Sequence, residues 1–152
     1  MRVRRGVYHL SEHPRSPLDG VFAAWLTLGP DKAVVSHETA LHLLGLTDDV
    51  PDKVHLTIAR THRRGAVAGI ALHTTTNLPS SENLTQIEGL PVTSAARSIV
   101  DTASGGAEEL VTAATRNAVR RGLITRTELL FASQDQSGPT RQLIRRALQL
   151  ED

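Results

Sequence analysis

The sequence predicts an α+β fold, a small mixed β-sheet packed by helices and followed by a C-terminal helical segment. Three observations carry this. Val54–Ala59 (VHLTIA) and Ile70–Thr75 (IALHTT) alternate as strands do, helical periodicity lies on either side of them, and beyond about residue 94 only helical patterns remain. The 152 residues are 39% hydrophobic and 22% charged, enough for one domain with its own core.

The elements follow in order. Arg5–Leu10 (RGVYHL) reads as a short strand, because Val7 and Tyr8 favour extended backbone. Pro17 opens a helix behind Ser16 as its cap, with Leu18, Val21, Phe22, Trp25 and Leu26 at helical spacing, and Gly29-Pro30 ends it. Ala33–Val35 is a short apolar strand. Ser36 is expected to cap a helix through Leu44, stopped by Gly45. Strands 54–59 and 70–75 are expected to form a hairpin whose long tip is the basic, glycine-containing stretch Arg60–Gly69. Thr93 or Ser94 caps the next helix, striped by Ala96, Ile99, Val100 and Ala103. Helices from Glu108 to Arg121, after Thr125 to about Ser133, and from Pro139 complete the chain.

Composition removes several functions. With no Cys, disulfides, thiolate nucleophiles and Cys-ligated metals are excluded. Lys+Arg 17 against Asp+Glu 16 leaves a formal +1, so overall charge does not mark a nucleic-acid binder. Aromatics are 3%, too few for a single-strand stacking platform. No apolar run approaches the ~20 residues of a membrane span and no secretory signal is visible, so a cytoplasmic protein without membrane contact is expected.

The enzyme motifs also fail. His37 and His42 flank Glu38 in a helix-like run, but a zinc-protease helix needs its histidines four apart. Five residues turn about 500°, which puts the two rings about 140° apart. The lysines, at 32 and 53, follow prolines two positions back and not the acid of a nuclease pair. No phosphate-binding loop or nucleophile elbow occurs. Ser36 and His37 would point about 100° apart on a helix and are not expected to form a catalytic pair. His55 and His73, on neighbouring strands, are expected to approach one another, which is too few ligands for a metal. The expectation is a non-enzyme with no cofactor and no metal.

Three motifs in order carry a resemblance. They are Arg5-Gly6-Val7-Tyr8-His9-Leu10, then Ser36-His37-Glu38-Thr39-Ala40-Leu41-His42-Leu43-Leu44-Gly45-Leu46 with Pro51 and Val54–Ile58, then Gly89–Asp101 (GLPVTSAARSIVD). Together with Ala118–Thr125 and Glu128-Leu129, they resemble the AbiEi-type antitoxins of abortive-infection toxin–antitoxin systems, over nearly the whole chain. The resemblance implies phage defence, with neutralisation of a cognate nucleotidyltransferase-type toxin through protein–protein action. In that family a winged helix-turn-helix domain precedes this region. Residues 1–10 are therefore expected to be a remnant wing strand, 11–152 the antitoxin-type domain, and 94–152 its helical tail. With residues 1–10 read as the end of that wing, the family's operator reading is not expected to carry over directly.

Ser36, His37, Thr93, Arg97 and Asp101 are expected to be structural motif residues. Ser36 and Thr93 are read as caps, and Arg97 and Asp101 as a pair one helical turn apart. His37 and His42 are the alternative contacts for a partner. Arg60, Arg63 and Arg64 at the hairpin tip, Arg116, Arg120 and Arg121 on one helix, and Arg141, Arg145 and Arg146 on the last are the candidates for binding a toxin or DNA phosphates. The alternative function is transcriptional regulation of its own operon through these basic residues, with salt-sensitive binding.

Overall fold

A computed structural model describes residues 18–149 together with two short strands near the start, β1 (Arg2–Arg4) and β2 (Val7–Tyr8). The Ser16-Pro17 helix start lies outside the described residues. The fold is α+β. In chain order α1 (Asp19–Leu28), β3 (Ala33–Val35), α2 (His37–Leu43), β4 (Val54–Ala59), β5 (Ile70–Thr75), β6 (Leu84–Ile87) and β7 (Leu90–Thr93) precede four helices. These are α3 (Ala95–Ser104), α4 (Glu108–Arg120), α5 (Arg126–Ser133) and α6 (Gly138–Gln149). No helix among the described residues is long and apolar enough to cross a membrane.

The sheet is five-stranded and mixed, in the order β5-β4-β3-β7-β6. Two expectations, the hairpin of strands 54–59 and 70–75 and a place for strand 5–10 in the sheet, need correction, and one element is unexpected. First, β4 and β5 are not a hairpin. They run parallel, with Val54 opposite Ile70 through Ala59 opposite Thr75, so Arg60–Gly69 is a crossover that returns the chain to the same end of the sheet. Second, Val7–Tyr8 does not join this sheet but pairs antiparallel with Arg2–Arg4. Third, Gly89-Leu90-Pro91-Val92 belongs to a hairpin, β6–β7, that the sequence reading did not anticipate. Its turn residues Glu88 (φ 50) and Gly89 (φ 87) both have positive φ, as a two-residue hairpin of the primed kind requires.

The strand register sorts the sheet into two unlike faces. One carries Ala33, Val35, Leu56, Ile58 and Val92, which pack with Val21, Ala24 and Leu28 of α1. Trp25 fastens that layer by donating from Nε1 to the Ala33 carbonyl at 2.9 Å. The opposite face aligns Val34, Thr57 and His73 in one row, with His55 two positions along β4. That polar face is where the site lies.

A second core belongs to the helices. Ile99, Val111, Ala114, Leu129 and Ile144 are completely or almost completely buried in it. α2 joins the two cores, with Ala40 in the first and Leu41 in the second. Asn117 of α4 and Arg121 just past its end clasp the loop after α2, donating to the Leu46 carbonyl at 3.0 Å and the Gly45 carbonyl at 2.9 Å.

Candidate functional site

The site is assembled by the way α2 is stitched to β4. The Ser36 N–H donates to the His55 carbonyl at 3.1 Å, and the His55 N–H donates to Thr39 Oγ1 at 2.8 Å. These two bonds bring the first turn of α2 against His55. Between Ser36 in extended backbone (φ −146) and the helix proper, His37 takes φ 54. This left-handed conformation is uncommon for a residue with a Cβ and costs about 1–3 kcal/mol. It swings the His37 ring out of the helical path and onto the sheet.

Three imidazoles meet there. The His37 ring stacks on that of His73 with centroids 3.5 Å apart and planes within 8°. His55 Nδ1 and His73 Nε2 are 3.0 Å apart, so one donates to the other. His55 Nε2 faces Glu38 Oε2 at 3.6 Å, which favours a proton on Nε2 of His55 and makes His73 the donor in that bond. On the other side His37 Nδ1 lies 2.8 Å from Ser36 Oγ, which lies 2.6 Å from Thr57 Oγ1. The expected cap at Ser36 is therefore not made. Its hydroxyl forms no capping bond and serves this buried chain instead. The expected divergence of Ser36 and His37 fails because it assumed right-handed helical backbone at both, whereas Ser36 is extended and His37, the first residue of α2, has positive φ.

α3 supplies the opposite wall. Ser94 caps it, accepting from the Arg97 N–H at 3.3 Å, while Thr93 does not cap. Thr93 is buried, with its hydroxyl 2.6 Å from Ser98 Oγ, and Ser98 in turn donates to the Ser94 carbonyl at 2.7 Å. The Arg97–Asp101 pair forms as expected. Arg97 Nε reaches both carboxylate oxygens, at 3.0 and 3.2 Å, and the two side chains are 22% and 18% exposed. Between this pair and the polar sheet face lies a recess of about 420 Å³ bordered by His37, His73, Thr57 and Thr75.

Burial dominates the electrostatics of the site. Burial, then the neighbouring His73, His55 and Arg97, push His37 down to about 3. Burial and then His55 push His73 down to about 4, against the opposing pull of Glu38, and burial lowers His55 as well. Burial raises Asp101, opposed by the charge and hydrogen bond of Arg97. These shifts favour the uncharged form of all three imidazoles at neutral pH. The Ser36 hydroxyl, fully buried, is out of a substrate's reach. Stacked rings also direct their in-plane lone pairs side by side, and among the described residues no group of three or more His, Cys, Asp or Glu converges to hold a metal.

The arginine candidates do not gather in this recess. Arg60, Arg63 and Arg64 are exposed on the crossover after β4, and Arg116, Arg141 and Arg145 are exposed on α4 and α6. Arg121 braces Gly45, Arg120 donates to Asn117 Oδ1, and Arg146 reaches Glu108 at 3.3 Å across the helices. His42, the other partner-contact candidate, is partly buried and its Nδ1 has no partner among the described residues. What the sequence reading missed is Glu38 beside His55, and His37 as the third ring. The approach of His55 and His73 could be read from the strand pattern, whereas the left-handed turn at His37 leaves no such pattern.

No protein-family model matches the chain, and no curated protein matches it.

Proposed function

We propose that this chain is a non-enzymatic antitoxin domain of the AbiEi type, which neutralises a cognate nucleotidyltransferase-type toxin in the cytoplasm by presenting a preformed face to it. One observation supports this reading above the rest. Two of the three motifs that carry the family resemblance lie far apart in sequence, yet they meet at one recess. His37 and Thr57 come from the second motif, and Arg97 and Asp101 from the third. The strain held at His37 supports it as well, since such strain persists where surrounding structure holds a residue for recognition.

Co-expression with the toxin gene adjoining its own tests the proposal. The expected result is growth rescue together with co-purification of the two proteins. Failure of both rejects it. Retained operator binding without rescue, losing affinity steeply with salt, would favour the regulator reading through Arg60, Arg63, Arg64 and the helix arginines.

A further inference from the structure

We infer that the recess between α3 and the polar sheet face receives a side-chain carboxylate, aspartate or glutamate, from the partner protein. This rests on the protein–protein reading above and names the chemistry of the contact. Arg97 carries the argument. Asp101 occupies only its Nε, which locks the plane of the guanidinium. Nη2 reaches no further than the Asn77 carbonyl at 3.5 Å, and Nη1 makes no hydrogen bond among the described residues. A planar pair of terminal donors is thus left over, the fork that matches a carboxylate.

His37 adds a second donor. Its Nδ1 is taken by Ser36 Oγ, and Thr57 can donate to that same oxygen. In that arrangement Ser36 donates to Nδ1 and the proton rests on Nε2, which has no hydrogen-bond partner among the described residues. Arg97 and His37 both border the recess.

The charge balance selects a carboxylate over a phosphate. Arg97 is the one cation bordering the recess, Asp101 balances its formal charge, and the imidazoles are neutral, so the recess carries no positive surplus. Glu38 borders a separate, smaller cavity beside His55. A planar carboxylate matches the guanidinium fork and adds one negative charge beside Asp101, whereas a phosphate dianion would add a second with no cation to meet it. The volume suits a side chain and a short stretch of loop rather than a helix.

Imidazole-detected NMR of the whole chain at neutral pH tests this, using a short capped peptide with one central glutamate, its glutamine isostere, and inorganic phosphate. The glutamate peptide is expected to shift the His37 and His73 ring signals saturably, with the glutamine isostere about tenfold weaker or worse. Arg97→Lys keeps the charge but loses the fork, and is expected to weaken the glutamate peptide about tenfold. No saturable shift, equal binding of the isostere, tighter binding of phosphate, or full affinity in Arg97→Lys would each overturn the inference. The wild-type titrations need no variant to fold. They also contain no toxin, so a negative titration beside successful rescue removes this inference alone, and a positive one beside failed rescue removes only the antitoxin reading.

Discussion

His37 is the residue on which the site turns. Its left-handed backbone is held by the ring stack on His73 and the bond to Ser36. A β-branched residue tolerates that conformation worst and glycine best. His37→Val is therefore expected to be less stable than His37→Gly by about 1–3 kcal/mol in urea unfolding, although valine keeps more apolar contact. Equal stabilities would show that the backbone is not strained. The same ring governs acid behaviour. Unfolded histidines protonate near 6.5, while His37 and His73 hold off until about 3 and about 4. The unfolded chain thus takes up protons first, and stability present above 6.5 is lost as pH falls toward 4. Asp101, raised in the fold, pulls the other way at the acid end, one group against three. The urea midpoint is expected to drop between about pH 7 and pH 5, and to drop less in His37→Asn, which accepts the same backbone. A flat profile would contradict the neutral stack. None of this could be read from the sequence, where Ser36 through Leu44 has the spacing of an ordinary capped helix. The positive φ that redirects His37 comes from tertiary bonds to β4.

At the scale of elements, the helices were legible because their ends are written in side chains. Thr125 and Glu128 form a reciprocal capping box on α5, and Gly45 and Gly122 take positive φ just past the helices they stop. Thr125→Ala is expected to cost about 1 kcal/mol, read by thermal unfolding. By contrast, Ser36→Ala removes no cap but breaks the buried hydroxyl chain to Thr57, and is expected to cost about 1–3 kcal/mol and move the His37 ring signals. Should Ser36→Ala leave those signals in place, the chain from Thr57 to His37 is not formed in solution. Strand pairing was legible only in part. Alternation located Val54–Ala59 and Ile70–Thr75, but it is the same for either direction of pairing, and a ten-residue glycine-containing link serves a hairpin or a crossover alike. β6 was missed because Leu84–Ile87 is a four-residue, half-polar edge strand, and Glu-Gly is a less marked turn than Asn-Gly.

At the scale of the molecule, the site lies where a sheet layer and a helical layer share α2. Ala40 packs into one core while Leu41, its neighbour, is fully buried in the other. Leu41→Ala is expected to destabilise by about 2–5 kcal/mol. Urea unfolding followed by Trp25 fluorescence, in the sheet layer, should coincide with unfolding followed by the far-ultraviolet helix signal. Two separated transitions would show that α2 does not couple the layers. One feature of the sheet has a further effect. β3 and β7 are bridged at a single pair, Val35 and Val92, whereas β4 and β5 are laddered over six. The centre of the sheet is thus its thinnest seam, and α3 is joined directly to the far side of it through Thr93 and Ser94. Amide hydrogens flanking that seam should trade with solvent sooner than those between β4 and β5. A gap opening there would carry Arg97 away from the histidines, so the pairing of Val35 with Val92, together with the packing of α2 on α3, fixes the width of the recess.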